Sequence, residues 1–330
     1  MLLNQIGWMR TAVRGLRRRF WSGEDPRWQG HVVRPLVRWM SRRRLLSFDA
    51  TVRFDWLARS LLGQPLSLRT WHAMTFNDKV TYRRLRVRDP SFAVFSDKLA
   101  MREYVGDRVG EDALPRLLEV AGHAAAFGER VGPFVLKANH GSQMVTVVRP
   151  GEKLAAAQLA RADGWLAYDY AWEDLEWGYL SARRLLFAEE FLQGPESDEP
   201  PPDFKLFVFD GSVAMLEVHS GRFGDAYRID LRLPDWAPLE LPGSIPGEGA
   251  DAPANLDVML DMAGRLGSNL DFLRVDLYDL GDRVLVGELT PYPSGGNSAY
   301  HPASIDEWLG QAWRTRPAAH VVPLIARTRA

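Results

Sequence analysis

The hydrophobic period of the chain changes at Pro133, and this change constrains the fold more than any other feature. Before it, apolar residues recur at helical spacing, as they do through residues 31–40. After it, apolar and polar residues alternate between clusters of turn residues. This alternation predicts β-hairpins over residues 133–150, 204–218 and 272–290. A helical front, a hairpin-rich middle and a strand–helix–strand end are typical of an α+β chain with several lobes.

The pattern divides the chain into four regions. Residues 1–75 are predicted to be a basic helical region, and residues 76–130 a second helical region whose helical pattern runs to residue 121. Residues 131–193 and residues 194–330 are the third and fourth regions, and they contain the predicted strands. Further helices are predicted over residues 153–161, 172–187 and 256–268 and from residue 303.

Composition excludes several classes of protein. The chain has 330 residues, of which 46% are hydrophobic and 25% charged, as in an ordinary globular protein with room for two or three subdomains. It has no cysteine, which excludes disulfides, thiol nucleophiles and zinc–cysteine sites and favours a reducing compartment. No apolar run approaches about 20 residues, and the first residues lack the apolar core of a signal peptide. We therefore expect a cytoplasmic protein.

Positive charge is concentrated at the start of the chain, although the formal net charge is only −1. Residues 1–45 carry a net charge of +9, and the remainder carries −10. The same segment contains aromatic residues suited to a membrane interface, namely Trp8, Phe20, Trp21, Trp28 and Trp39. Two interpretations stay open: peripheral contact with the inner face of a membrane, or a basic helix that docks on the acidic body. Nucleic-acid binding is not expected, because no base-reading motif accompanies the arginines.

Lysine is rare in this arginine-rich chain. Arginine fills most basic positions, so a retained lysine points to a need for a compact ammonium, such as a point charge on a phosphate. The alternative is that the lysines are compositional leftovers. Only five of the 41 basic residues are lysines, at Lys79, Lys98, Lys137, Lys153 and Lys205.

The hairpin over residues 272–290 carries the sharpest local cluster. Side chains alternate along a strand, so Arg274 and Asp276 share one face, as do Glu288 and Thr290 on the return strand. A five-residue loop would place Arg274 opposite Glu288, with Asp276 and Thr290 on the same side. A four-residue loop would put Asp276 and Glu288 on opposite faces.

This cluster has two interpretations. An arginine, two carboxylates and a hydroxyl on one face suit Mg²⁺ bound to phosphate, because Mg²⁺ usually takes one or two carboxylates plus phosphate oxygens. Asp276 and Glu288 would then be the metal ligands. The alternative is an ion pair between Arg274 and the carboxylates on a solvated sheet face.

Two further segments suit a nucleotide. Lys137 ends an apolar strand before a polar turn, residues 140–142, whose backbone N–H groups could bind phosphates as a flap. A plain hairpin turn with a solvated His140 would show the same pattern. In AEEFLQGPE, residues 188–196, a strand end and its carboxylates could line adenine and ribose, although an ordinary acidic strand edge would look similar.

In this order the segments resemble the ATP-grasp superfamily and, more narrowly, the TupA-like ATP-grasp family, which is linked to bacterial cell-surface polysaccharide synthesis. The resemblance extends from about residue 75 to about residue 300. It is carried by FNDKVTYRRL, FSDKLAMREYV, FVLKANHGS, FAEEFLQG, PDFKLFVFDG and RVDLY…GELTPYPSGG. It implies an α+β, ATP-grasp fold, in which two α+β lobes sandwich ATP, with a helical, basic N-terminal region. The two lobes would be a small lid lobe, residues 131–193, and a larger core lobe, residues 194–330.

The resemblance also implies roles for single residues. Asp276 and Glu288 would bind Mg²⁺, and Arg274 would face the transferring phosphoryl group. Lys205 would contact substrate or phosphate. Separately from the resemblance, the segment 219–236 holds Arg222, Arg228 and Arg232, which could bind an acidic sugar or amino-acid carboxylate by bidentate pairing. The residues assigned to ATP are Lys98 and Lys137 at the phosphates, His140, Gly141 and Ser142 in the flap, Glu189, Glu190 and Leu192 at the adenine, and Glu196 at the ribose. Many relatives carry an asparagine where this chain has Thr290, so a third protein ligand of the metal is not implied.

The activity implied is that of a carboxylate–amine ligase. A carboxylate attacks the γ-phosphate of ATP, and an amine displaces phosphate from the resulting acyl phosphate. The substrates would be small-molecule or glycan carboxylates and amines, with His219 as a base or a structural residue. Two alternatives stay open: phosphorylation of a hydroxyl, and a catalytically weak, membrane-associated scaffold of polysaccharide assembly.

Overall fold

The computed structural model describes residues 28–61, 63–64, 66–193, 200–221, 227–242 and 252–317. Within these residues the chain forms two compact units. The helical unit comprises the described residues up to Asp89, residues 171–177 and those from Tyr292 onward. The two-sheet unit comprises Pro90–Tyr170 and the described residues of Gly178–Pro291.

The regular elements are α-helices in both units and β-strands in the two-sheet unit. The helices are α1 (Trp28–Arg42), α2 (Phe48–Leu61), α3 (Phe76–Arg86), α4 (Pro90–Ser96), α5 (Lys98–Val109), α6 (Ala156–Ala167), α7 (Leu256–Leu266) and α8 (Ser304–Ala312). The strands are β1 (Leu117–Ala121), β2 (Phe134–Ala138), β3 (Val145–Val148), β4 (Leu186–Glu190), β5 (Asp203–Phe209), β6 (Ser212–Ser220), β7 (Arg228–Arg232), β8 (Leu273–Asp279) and β9 (Val284–Thr290).

An aromatic cluster and a buried lysine hold the helical unit together. The Trp71 ring meets the Trp313 ring edge-on at 5.4 Å. The ammonium of Lys79, which is 1% exposed, donates to the carbonyls of Gly310 and Trp313 at 2.6 Å each and lies 4.8 Å from the Trp71 ring centre. These carbonyls lie near and just past the end of α8, where a helix lacks internal donors. Burial lowers the pKa of Lys79 to about 8. Lys79 therefore caps a helix.

The basic helix α1 contacts acidic residues within the helical unit. Arg38 lies 3.1 Å from Asp174 and 3.2 Å from Glu173, and Arg42 lies 3.3 Å from Glu173. Trp39 on the same helix is 48% exposed. In the described part of residues 1–45, these contacts favour docking of the basic helix on acidic residues over its attachment to a membrane. No helix among the described residues is long and apolar enough to span a membrane.

The lid sheet has the strand order β1-β4-β2-β3 and is antiparallel. One face is apolar: Phe134, Leu136 and Ala188 are buried in a core that also contains Trp165 of α6. Side chains alternate in β2, so Val135 and Lys137 lie on the other face. The lid sheet thus has an apolar face for packing and a second face that presents a cation.

The core sheet has the order β7-β6-β5-β8-β9 and is also antiparallel. Its central strand, β5, is buried along its whole length, and α7 packs against β5, β6 and β8. The β5–β6 turn has Asp210 at φ 49° and Gly211 at φ 79°, the left-handed pair that a two-residue hairpin turn favours. The predicted hairpins over 204–218 and 272–290 are therefore confirmed.

Two predictions of secondary structure fail, and one strand is missed. Residues 117–121 form β1 and not helix, because the segment pairs with β4 in the lid sheet. Residues 172–187 form short 3₁₀ turns followed by β4. Strands β1 and β4 are remote from each other in sequence, so the local pattern alone does not reveal their pairing. The missed strand is β7, which has five residues and pairs with β6, the strand before it. Because β1 precedes residue 131, the lid sheet begins earlier than the lid lobe proposed from the sequence, and the boundaries of the four regions stay predictions.

Candidate functional site

A β-bulge sets the register of the last hairpin. The loop between β8 and β9 has four residues, 280–283, so Asp279 pairs with Val284. The register shifts between Asp276 and Leu277, which leaves Gly287 as the extra residue on β9. A Cβ atom at Gly287 would lie 2.6 Å from the Tyr278 ring. A residue without a side chain therefore permits the bulge.

The bulge brings the predicted metal ligands to one face. Asp276 lies directly opposite Glu288, and Arg274 lies opposite Thr290. The expected pairing of Arg274 with Glu288 is wrong. The expectation that a four-residue loop places Asp276 and Glu288 on opposite faces is also wrong. It assumed a regular ladder, whereas the extra residue in β9 moves Glu288 to the face of Asp276.

Two cations hold the carboxylate of Asp276. Arg274 donates from Nε to Oδ1 at 2.7 Å and from Nη2 to Oδ2 at 2.8 Å. Lys205 on β5 donates to Oδ2 at 2.7 Å and to Asp203 at 2.6 Å. Arg274 also donates to the hydroxyl of Thr290 at 3.2 Å, so Thr290 fixes the guanidinium. The bidentate arginine and the shared lysine make a rigid polar network.

Charge pairing overrides burial in this network. Burial alone would raise the pKa of Asp276, but Arg274 and Lys205 outweigh it and hold this pKa below its usual range. Burial would lower the pKa of Lys205, yet Asp276 and Asp203 raise it. The same balance raises the pKa of Arg274, where Glu288 and Glu217 add to the effect of Asp276. Asp276, Lys205 and Arg274 therefore stay charged at neutral pH.

The donor set fits Mg²⁺ bound with phosphate. A carboxylate offers about four lone-pair positions, and Asp276 uses three of them, so it can still give one oxygen to a cation. Glu288, half-buried and directly opposite, supplies the second carboxylate. The described residues contain no group of three or more acidic or histidine side chains placed to hold a metal. Such a sparse set suits Mg²⁺, which usually takes one or two carboxylates plus phosphates.

The lid contributes two further lysines. Lys137 forms an ion pair with Glu189 across the lid sheet. Lys98 opens α5, and its ammonium donates to the carbonyl of Gly141 in the β2–β3 turn. Burial lowers the pKa of Lys98, and the charges acting on it include Glu288, Lys137 and Glu189. Residues of the lid and the core sheet therefore meet around Lys98 within the two-sheet unit.

A polar clamp fixes Lys98. Asp97 caps α5 by accepting from Leu99 N at 3.1 Å and from Ala100 N at 2.9 Å, and its other oxygen accepts from Arg183 N at 2.9 Å. Asn139 of the lid turn accepts from Leu99 N at 2.8 Å and donates to the Arg183 carbonyl at 2.8 Å. Because the clamp joins the helix to the turn, the position of Lys98 follows the turn.

The residues of the predicted flap differ from one another. Gly141 lies where a Cβ atom would be 2.9 Å from the Met144 sulfur, and Ser142 is half-buried. His140 is 2% exposed, and its Nε2 lies 3.0 Å from the Trp165 carbonyl, so the expectation of a solvated side chain is wrong. Burial lowers the pKa of His140. Its ring is therefore buried against the Trp165 backbone, and its contact with ATP stays a prediction.

The predicted adenine and ribose residues are only partly described. Glu190 accepts from Arg116 N at 2.8 Å and lies 3.4 Å from Arg283, so it links β1 and the last hairpin to β4. Leu192 is half-buried just beyond β4. Glu196 and Arg222 lie outside the described residues.

A polar chain beside Lys205 was largely missed from the sequence. His219 Nδ1 lies 2.7 Å from the Tyr227 hydroxyl, and His219 Nε2 lies 3.2 Å from Glu217. Only His219 is a candidate from the sequence. Glu217 stands two residues before it on the same face of β6, and Tyr227 directly precedes β7, which pairs with β6. Asp203 was also missed, although its place two residues before Lys205 puts both on one face. Asp97 had a signal, since an aspartate before a helix is a typical cap.

Comparison with known proteins gives a family match. A family model described as TupA-like ATPgrasp matches residues 78–314. No curated protein matches the chain.

Among solved structures, the chain is similar to ATP-grasp ligase PsnB complexed with minimal precursor, at 18% identity over 76% of this chain and 64% of that chain, with a TM-score of 0.37. D-alanine–D-alanine ligase from Bacillus anthracis gives 16% identity over 67% and 64%, with a TM-score of 0.35. A RimK domain ATP-grasp protein from Sphaerobacter thermophilus gives 15% over 71% and 67%, with a TM-score of 0.37. The chain spans less than two thirds of the first two structures.

Proposed function

The chain belongs to the TupA-like ATP-grasp family, and we propose that it is an ATP-dependent ligase that joins a carboxylate to an amine through an acyl phosphate. The α+β, ATP-grasp fold expected from the sequence is confirmed by the family and by the two antiparallel sheets. The reaction type, the substrates, the site residues and Mg²⁺ are proposals.

One observation carries the proposal. The opposed carboxylates Asp276 and Glu288 share a sheet face with Arg274 and Lys205, and the charges of Glu288 and Lys137 both act on Lys98. Phosphoryl transfer needs positioned positive charge around the phosphate oxygens more than it needs a protein nucleophile. A network of fixed cations and two carboxylates meets that need.

The chain's own residues would orient and neutralise the reacting phosphate. Lys98 and Lys137 would contact the ATP phosphates from the side of the lid. Arg274 is held by Asp276 and Thr290, so its charge needs no reorganisation when the phosphoryl group moves to the substrate carboxylate. Mg²⁺ held by Asp276 and Glu288 would supply further neutralisation of the phosphate oxygens.

The polar turn between β2 and β3 would limit the access of water. An acyl phosphate hydrolyses in contact with solvent, so the amine has to reach it in a closed site. The turn is tied to α5 through Lys98 and Asn139, which lets the helix and the flap close as one body. Glu189, Glu190 and Leu192 would lie at the adenine.

The substrates proposed are a sugar-acid or amino-acid carboxylate and an amine of a cell-surface polysaccharide or a related molecule. The reaction would take place in the cytoplasm, with peripheral membrane contact through residues 1–45 as a further proposal. The ion pairs of Arg38 and Arg42 engage part of that basic segment within the protein, which weakens the argument for a membrane-associated scaffold.

The test is a product analysis. The protein is first incubated with Mg·ATP, a uronic acid or amino acid as the carboxylate, and hydroxylamine, which traps an acyl phosphate as a hydroxamate. In a second incubation, amino acids replace hydroxylamine as the amine. We expect ADP, phosphate and a hydroxamate from the wild type, and at least about a tenfold loss for Glu288→Gln and Lys137→Met, since each removes a charged contact. Lys153→Met is the matched control, because this exposed lysine pairs with exposed Glu129. ADP with a phosphate ester would show a hydroxyl kinase, and no ADP would contradict an enzymatic role.

A further inference from the structure

A hydrogen-bonded chain of Glu217, His219 and Tyr227 lies on the same face of the core sheet as the proposed phosphoryl-transfer site. On β6, Glu217 and His219 are two residues apart and therefore share a face. Glu217 pairs with Lys205 across β5, and Lys205 pairs in turn with Asp276 on β8. Neighbouring strands lie about 4.8 Å apart, so Glu217 is about 10 Å from Asp276 along this row.

The hydrogen bonds select one tautomer of His219. A carboxylate can only accept, so the Nε2 atom, 3.2 Å from Glu217, carries the proton. The Nδ1 atom then accepts from the Tyr227 hydroxyl at 2.7 Å. A carboxylate that orients an imidazole, whose other nitrogen accepts from a hydroxyl, is the arrangement of a general base acting through an intermediary.

Solvent exposure increases along the hydrogen-bonded chain towards Tyr227. Glu217 is half-buried and His219 is 8% exposed, whereas Tyr227 is 53% exposed. The other described groups that face His219 are Asp203 from β5 and Ile229 from β7. A molecule arriving from solvent can therefore reach the phenol without disturbing the histidine.

We propose that Glu217, His219 and Tyr227 form a proton relay that deprotonates the amine substrate. This inference rests on the proposed ligase function, whose second step needs a free amine. The Tyr227 oxygen meets the incoming ammonium. Glu217 and His219 act through Tyr227 and position it.

The proton and electron balance is complete. The ammonium gives one proton to the Tyr227 oxygen while the phenol proton passes to His219 Nδ1, which leaves a free electron pair on the amine. The nitrogen attacks the carbonyl carbon, the N–C bond forms, and the C–O bond to phosphate breaks with its electron pair on phosphate. The second amine proton goes to the departing phosphate. The products are an amide, hydrogen phosphate and a protonated His219, which returns its proton to solvent.

The test separates the two steps of the reaction. Hydroxylamine is nucleophilic as a neutral molecule at pH 7, so it traps the acyl phosphate without a base. We expect Tyr227→Phe and His219→Gln to form hydroxamate from the best uronic acid or amino acid at nearly the wild-type rate. Both variants should lose amide formation with the best amino acid by about 100-fold, the lower end for a general base. Tyr168→Phe, an exposed tyrosine of the lid region, is the matched control.

The pH profile gives a second readout. Tyr227→Phe should change the pH profile of amide formation relative to the wild type and leave the pH profile of hydroxamate formation unchanged. Tyr227→Phe alters one exposed hydroxyl, so a folding defect does not confuse the result. Wild-type amide rates and an unchanged pH profile in Tyr227→Phe would overturn the relay while leaving the ligase intact. Absence of hydroxamate in the wild type would instead overturn the proposed function, and the relay with it.

Discussion

The helical unit and the two-sheet unit each bury a lysine, and the two lysines have opposite surroundings. Lys79 donates to two backbone carbonyls and contacts an aromatic ring, and burial lowers its pKa to about 8. Lys205 lies between two carboxylates, which raise its pKa despite burial. Backbone dipoles satisfy the first ammonium without a counter-ion, whereas the second belongs to a network of full charges.

The comparison separates a structural lysine from a candidate site lysine. A cap needs only hydrogen-bond partners, and a folded helix supplies them. A network of fixed charges on a sheet face costs desolvation free energy and adds little stability, so its retention is better explained by binding or catalysis. Rarity of lysine in the sequence marked both residues and could not tell them apart.

Loss of the central carboxylate should have the largest effect on stability. Asp276→Asn leaves Arg274 and Lys205 buried with reduced neutralisation, and we expect a loss of about 3–5 kcal/mol in the free energy of unfolding. Urea denaturation at neutral pH measures it. Asp261→Asn is the control, because Asp261 is exposed and forms a 3.6 Å surface pair. A loss below about 1 kcal/mol would mean that Asp276 does not organise a charge network.

Loss of the capping lysine should cost less and leave the site untouched. Lys79→Met keeps the aliphatic stem but leaves the carbonyls of Gly310 and Trp313 without their donor, so we expect a loss of about 1–3 kcal/mol. Affinity for Mg·ATP, measured by calorimetry on the folded variant, should equal that of the wild type. Weaker binding at unchanged fold would show that Lys79 serves the site and would break the comparison.

The register of Glu288 can be changed without altering either lysine. A methyl group at residue 287 would meet the Tyr278 ring, which is half-buried and can move, so Gly287→Ala should destabilise by about 1 kcal/mol. Mg·ATP binding should weaken as well, because Glu288 shifts away from Asp276. Tyr278→Leu combined with Gly287→Ala relieves the clash and should restore both quantities. Failure of the double variant to recover would mean that the bulge does not depend on this contact.

The pH dependence of stability should differ between the two lysines. Between about pH 8 and 10.5 the unfolded chain keeps a proton that folded Lys79 has lost, so wild type should gain stability over Lys79→Met as pH rises. The raised pKa of Lys205 makes its contribution constant below 10.5, and this contribution falls only at higher pH. Urea midpoints of the wild type, Lys79→Met and Lys205→Met from pH 8 to above pH 10.5 test the contrast. Parallel curves for the wild type and Lys79→Met would contradict it.

Much of the fold could be predicted because its signals are local. The Asp210-Gly211 turn and the alternation on either side specify a hairpin in any context. Strand β1 could not be found, because it has five residues and pairs with β4, which is remote in sequence. Strand β7 is equally short, although it pairs with β6, the strand before it. Local patterns therefore gave the α+β class and missed the edges of both sheets.

The candidate site could be predicted in its residue types and less well in its geometry. Arg274, Asp276 and Glu288 do share a face, but the route to that outcome is a bulge at Gly287 that no count of loop residues reveals. The burial of His140 depends on the carbonyl of Trp165, 25 residues away, which the turn pattern does not contain. The contact of Lys205 with Asp276 follows only once the β5–β8 pairing is known, whereas Asp203 and Glu217 stand two residues from Lys205 and His219.

Calorimetry of Mg·ATP binding to the wild type and Glu288→Gln tests the central claim most directly, with Lys153→Met as the charge-changing control. Glu288 is half-buried, so its amide variant should fold, which circular dichroism checks. We predict Mg²⁺-dependent ATP binding by the wild type and the control, and at least about tenfold weaker binding by Glu288→Gln, the effect of losing one hydrogen bond or ligand of a charged group. Equal binding by all three proteins, or no binding by the folded wild type, would contradict the claim that this sheet face is a nucleotide site.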